Sequence, residues 1–268
     1  GALLVAGWNA DAPIPNASVG GLPTQITHMD FDGFGNLIAV DASGAEPRLL
    51  RVNIGDEANS VEVLAPTAAL DGLSGFASSS GGVFYSVGDD AGDELFRSLD
   101  SGDILPLDNT LDDGAAALDF VAAAVTPSGA GFTVVDTGAG FDLYRVEGGA
   151  DGVASGIEGV VRVGTIAAGV DNLTEIQALD ADPATGELHV LASVAGGDQA
   201  LYSVSSVNAS ATSLTALSSG GLSIDTPYKA IAFEAGGARL FAVREVGGVD
   251  RLESIDASLL SSDFGVAT

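Results

Sequence analysis

Five times along the chain a short apolar segment is followed, eleven to thirteen residues later, by a second of similar pattern. The first members are Leu37-Ile38-Ala39-Val40, Phe84-Tyr85-Ser86-Val87, Phe132-Thr133-Val134-Val135, Leu188-His189-Val190-Leu191 and Leu240-Phe241-Ala242-Val243. Their partners are Leu49-Leu50-Arg51-Val52, Leu95-Phe96-Arg97-Ser98, Leu143-Tyr144-Arg145-Val146, Leu201-Tyr202-Ser203-Val204 and Leu252-Glu253-Ser254-Ile255. The first members start 47, 48, 56 and 52 residues apart. A repeat of roughly 40 to 50 residues, rich in strands and turns, is the mark of a β-propeller, in which each unit buries its apolar faces against its neighbours. The expected fold class is therefore all-β: a β-propeller of five or six four-stranded blades, closed by the N-terminal strand.

Each repeat reads as one blade. In the first, Ile26 to Asp32 is the inner strand, Leu37 to Asp41 the second, Arg48 to Ile54 the third and Ser60 to Ala65 the outer one. The turn Asp32-Gly33-Phe34-Gly35-Asn36 joins the first two, its glycines permitting positive φ. Comparable turns are Ser79 to Gly82, Pro127 to Gly131, Pro183 to Gly186 and Ala235 to Gly237. A single domain over 1–268 follows, with repeats at about 26–70, 71–116, 117–170, 171–225 and 226–268. Residues 1–25 are the closing strand or a partial blade, with strands at Ala2 to Ala6 and Ala17 to Gly20 and the proline-rich Asp11 to Pro15 between them. Closure of this kind removes the exposed edges of an open array. One helical turn could sit within Asp256 to Ser262.

Charge narrows the partners. Nine basic residues face 37 acidic ones, a formal balance of −28. Nucleic-acid binding depends on Lys and Arg releasing phosphate counterions, so nucleic acid is excluded as a partner class, and an anionic membrane surface with it. The field suits solvation, a saline habitat or cation binding. No run approaches the 18 apolar residues of a membrane helix. Cysteine is absent, which removes disulfides, thiol chemistry and cysteine metal sites. The chain starts at Gly1 without a methionine, as a processed or trimmed form would, and a signal peptide removed upstream is one explanation. The expected location is extracellular, periplasmic or at the cell surface.

The segment Phe31-Asp32-Gly33-Phe34-Gly35-Asn36-Leu37-Ile38-Ala39-Val40, followed by Leu49-Leu50-Arg51-Val52, resembles the repeats of bacterial lactonase-like and NHL-type propellers. Ala178-Leu179-Asp180-Ala181-Asp182-Pro183-Ala184-Thr185-Gly186-Glu187-Leu188 with Leu201-Tyr202-Ser203-Val204 is similar, as is Ile231-Ala232-Phe233 with Arg239 to Val243. The resemblance covers most of residues 26–268 and resides in blade-forming positions. It implies a superfamily in which some members are calcium-dependent lactonases or esterases and others bind protein or glycan.

Asp30, Asp32 and Asn36 place oxygen ligands at close spacing, as calcium loops do, and are the candidate metal ligands. A hairpin turn explains the same residues through Asx-type bonds to the backbone. Asp89, Asp90, Asp93 and Glu94 form a denser carboxylate cluster that reads as solvated surface. His28 and His189, the two histidines, fall in strands of different blades and read as structural rather than as general bases. No Gly-x-Ser-x-Gly elbow and no phosphate-binding P-loop is present. Asn16, Asn172 and Asn208 open Asn-x-Ser/Thr patterns at chance frequency. No catalytic or cofactor-binding set emerges. The function expected is a non-enzymatic exported propeller, a binding or structural assembly module with a protein or glycan partner or with itself. The alternative is a calcium-dependent lactonase or esterase.

Overall fold

The computed structural model describes residues 9–13, 18–19, 22–23, 25–45, 47–52, 54, 61–66, 73–78, 84–88, 94–98, 104–110, 119–147, 159–167, 172–196, 199–216, 227–246 and 248–260. They form an all-β propeller. The N-terminal strands are β1 (Asn9–Pro13) and a small hairpin, β2 (Ser18–Val19) with β3 (Leu22–Pro23). The first sheet is β4 (Ile26–Phe31), β5 (Leu37–Asp41), β6 (Arg48–Val52) and β7 (Val61–Pro66). The second is β8 (Leu73–Ser78), β9 (Phe84–Gly88), β10 (Glu94–Ser98) and β11 (Ile104–Thr110). The third is β12 (Asp119–Val125), β13 (Gly131–Asp136), β14 (Phe141–Glu147) and β15 (Gly159–Thr165). The fourth is β16 (Leu173–Ala181), β17 (Leu188–Val194), β18 (Gln199–Val204) and β19 (Ala211–Ala216). The last comprises β20 (Tyr228–Phe233), β21 (Arg239–Val246) and β22 (Val249–Asp256), and β1 pairs antiparallel with β22. All of these strand pairs are antiparallel, and all but β1 with β22 join strands consecutive in the chain.

The strand that joins the last sheet, Asn9–Pro13, overlaps the proline-rich stretch expected to be a connector. Ala2 to Ala6 lies outside the described residues. Pro13 can end an outermost strand because nothing need receive its missing N–H there. The turn expected near the C-terminus is a 3-10 turn, Ala257–Leu260. Among the described residues no helix is long and apolar enough to cross a membrane.

Why the second strands read as unbroken apolar runs is clear from the packing. Each inner strand lies against those of the neighbouring sheets: β4 on β8, β8 on β12, β12 on β16, β16 on β20 and β20 on β4. A strand's alternating side chains therefore meet two different sheets. In β5, Leu37 and Ala39 pack with Ala232, Phe241 and Val243 of the last sheet. The intervening Ile38 and Val40 pack with Phe76 of the second. In β17, Leu188 and Val190 join Phe132 and Val134 of the third sheet, whereas Leu191 joins Leu240 of the last. Both faces are core, so both must be apolar.

The β4–β5 turn places Gly35 at φ +83°, with its N–H donating to the Asp32 carbonyl at 2.9 Å. A Cβ at Gly35 would meet nothing within 4 Å, so Gly35→Ala tests conformation alone. It is expected to lower stability by about 1 kcal/mol, the cost of left-handed backbone in a residue with a Cβ, measured by urea denaturation.

Candidate functional site

The inner strands converge on a narrow axial channel. His28, Met29, Phe76, Leu179 and Ile231 are among its lining, and they leave a space of only about 10 Å³. At the end of the channel where the inner strands turn into the second strands, the space opens into a cavity of about 200 Å³. Asp30, Asp32, Asp180, Thr126, Pro183 and Phe233 contribute to its wall. Phe34, 73% exposed, sits on the same turn as Asp32.

The two buried carboxylates in this cavity do the same thing at equivalent places. One oxygen of Asp30 accepts the N–H of Phe31 at 2.6 Å, and the other accepts the N–H of Ser78, in the next sheet, at 2.5 Å. Ser78 returns a bond from its hydroxyl to the Phe31 carbonyl at 2.5 Å. Asp180 accepts the N–H of Ala181 at 2.7 Å and that of Phe233, again one sheet on, at 2.6 Å. Phe31, Ser78, Ala181 and Phe233 stand opposite Leu37, Phe84, Leu188 and Leu240 in their hairpins, so the positions correspond across sheets. Each aspartate thus ties its own inner strand to the next, satisfying two backbone donors that hairpin pairing leaves unmade.

Asp32 and Asp182, two residues further on, cap turns. Asp32 accepts the N–H groups of Phe34 and Asn36 at 2.9 and 2.8 Å and the Asn36 side-chain amide at 2.7 Å. Asp182 accepts the Ala184 N–H at 2.8 Å and the Thr185 hydroxyl at 2.9 Å. The three candidate ligands, Asp30, Asp32 and Asn36, are thus adjacent but already occupied. Asn36 offers Asp32 its Nδ2, a donor, where a cation requires oxygen. As arranged, they do not fit a calcium ion. Among the described residues no group of three or more His, Asp or Glu could hold a metal. Asp89, Asp90 and Asp93 lie outside the described residues.

Electrostatics follow from burial. The Asp30 carboxyl is pushed up to about 7, mainly by loss of water, with the N–H groups of Ser78 and Phe31 opposing and the Asp32 charge adding. Asp180 is likewise raised by burial and by the charge of Asp30. Burial holds the His28 imidazole down to about 4 and lowers His189. His28 bonds to Thr27 Oγ1 at 3.0 Å. His189 bonds to the Glu187 carbonyl at 3.2 Å and lies 4.8 Å from the Phe233 ring. His28 also bonds the Ser74 backbone of the second sheet, so it joins two sheets, whereas His189 bonds within its own repeat.

Further polar ties join the sheets. Asp250, fully buried, accepts the Ile26 N–H at 2.6 Å and the Lys229 ammonium at 3.2 Å, linking last sheet to first. The Gln199 amide brackets the Tyr228 backbone at 2.8 and 2.9 Å, linking fourth to last. Sequence reading missed Asp180, although Asp30-Phe31-Asp32 and Asp180-Ala181-Asp182 repeat one Asp-x-Asp pattern at the ends of inner strands.

No family profile matches the chain, and no curated protein matches it. Solved structures do. A TolB from Acinetobacter baumannii aligns over 88% of this chain at 14% identity with a TM-score of 0.53. This chain spans 53% of that TolB, about half its length. A TolB from Agrobacterium tumefaciens aligns over 87% of this chain and 77% of its own, at 14% identity and TM-score 0.53. A protein described as a gluconolactonase aligns over 85% and 72%, at 16% identity and TM-score 0.50. The lactonase-like propeller resemblance is thus present in the fold.

Proposed function

We propose that the chain forms a five-bladed propeller, with β1 supplying the outer strand of the last blade. We read it as an exported, non-enzymatic binding or assembly module. One observation carries this reading: the buried carboxylates at the axial cavity are joints between blades. Each of their oxygens already receives a backbone N–H, so neither is placed as a free ligand or base toward a substrate. The two histidines are held elsewhere by their own bonds. What remains is a rigid disc with a shaped acidic recess, suited to recognition rather than turnover. Its partner is a protein or glycan, or a second copy, in an extracellular, periplasmic or surface setting.

The alternative, a calcium-dependent lactonase or esterase, draws on the fold shared with the protein described as a gluconolactonase. The two readings separate in one assay. Aliphatic lactones and nitrophenyl esters should be hydrolysed no faster than in buffer, with and without millimolar calcium. Hydrolysis that needs calcium and disappears in Asp32→Ala would establish the hydrolase and end the binding-module reading.

A further inference from the structure

A propeller blade exposes one edge, its outer strand, and such an edge is a template for pairing unless it is guarded by charge, proline or a bulge. All five outer strands here carry a register shift, so bulges do not distinguish them. Side-chain identity does. Strand β7 carries Glu62 and Pro66, β11 carries Pro106 and Asp108, β15 carries Arg162 and β1 carries Asp11 and Pro13. Strand β19, Ala211-Thr212-Ser213-Leu214-Thr215-Ala216, has neither charge nor proline.

The neutrality extends well beyond the strand. Residues 199–224 form a run of 26 without Asp, Glu, Lys or Arg, the longest in a chain with 46 such residues. Within it Val207, in the turn before β19, is 84% exposed, the largest exposure of any large apolar side chain among the described residues. Thr212 and Ser213 are exposed, while Tyr202 and Val204 of the paired strand are buried and hold the sheet in place.

Among the described residues the outer edge is used at its start, by Ala167. The Ala211 N–H points outward and donates to the Ala167 carbonyl at 3.0 Å. Antiparallel alternation therefore also turns the N–H and C=O of Ser213 outward, and among the described residues no strand receives them.

We propose that β19 is a strand-addition edge whose occupant is the β19 of a second copy, paired antiparallel about Ser213. The charge of the chain selects this occupant. Two bodies of −28 repel wherever acidic surfaces approach, and this neutral run is where their backbones can meet with the least repulsion. Pairing satisfies the outward main-chain groups of Ser213, which no described strand receives. The proposal rests on the assembly-module reading and names its partner.

Sedimentation of the purified chain from low to high sodium chloride tests it. The expected mass doubles as salt rises, because screening removes the residual repulsion. Ser213→Asp and Ser213→Lys, both at an exposed position, should each weaken the dimer at least tenfold while leaving the circular dichroism and melting unchanged. Mixing the two variants should restore it, since opposite charges then face each other across the pair. A wild type that stays monomeric at every salt concentration overturns the proposal. So does a dimer that neither variant weakens, or one that the mixture fails to rescue. The hydrolysis assay on the same samples remains independent, so loss of the dimer and loss of the binding-module reading are told apart.

Discussion

Gly75→Ala is expected to destabilise the fold by about 3 kcal/mol, the upper part of the range for overpacking a full core. For a domain of this size that is a fall of roughly 6 to 12 °C in melting temperature. Gly75 lies on inner strand β8, beside a register shift in its pairing with β9. A Cβ there would stand 2.7 Å from the backbone N of Ala123 and 2.8 Å from the carbonyl carbon of Ala122, on β12. Those atoms belong to a neighbouring inner strand, so no side chain can rotate away; two sheets must separate. Gly236→Ala is the control. Its Cβ would meet nothing within 4 Å and its φ is not positive, so fewer unfolded conformations should leave it neutral or slightly more stable. A Gly75→Ala protein melting within a degree or two of wild type would show that the inner strands are not in backbone contact.

That contact marks the boundary of what the sequence discloses. The second and third strands were legible because each is apolar on two faces, and β5, β9, β13, β17 and β21 span the five repeated segments that begin at Leu37, Phe84, Phe132, Leu188 and Leu240. Turns were legible through Gly35 and its counterparts. The inner strands were placed, yet Gly75, Ala122 and Ala123 looked like unremarkable small residues. Their smallness answers to a neighbour about 47 residues away, which no local pattern encodes. The bonding of the candidate site was hidden for a related reason. Asp30, Asp32 and Asn36 suggest a cation when read in isolation, because spacing reveals oxygens but not the donors facing them. The donor that decides the role of Asp30 is the Ser78 N–H, from another repeat. Asp180 could have been found by aligning the two Asp-x-Asp patterns, since a feature repeated only at strand ends points to a joint rather than to a single metal site.

The joints also predict an unusual response to pH. Asp30 titrates at about 7 in the fold against 3.8 for the free side chain. A raised pKa means that its contribution is fully present below 3.8 and is lost as pH climbs through 7. His28 titrates at about 4 against 6.5. A lowered imidazole works the other way: its contribution is present above 6.5 and is lost as pH falls through 4. Asp180 shifts in the direction of Asp30, and His189 in the direction of His28. Between pH 4 and 6.5 Asp30 and His28 therefore oppose each other, at about 1.4 kcal/mol per pH unit for each. Asp30→Asn removes the carboxyl from this balance and leaves the His28 contribution unopposed by it. It also loses one of the two N–H bonds, to Phe31 or to Ser78, at every pH, because an amide nitrogen cannot accept an N–H, so the slope carries the information rather than the absolute stability. The free-energy gap between wild type and Asp30→Asn should change by about 3 kcal/mol across that window, the variant faring worst at the acid end. Exposed carboxylates are common to both proteins and cancel in the difference. Urea midpoints measured at half-unit steps of pH provide the test, and adding His28→Gln to Asp30→Asn should flatten the curve again. A gap that stays constant with pH would mean that Asp30 ionises normally and that burial does not govern the joint.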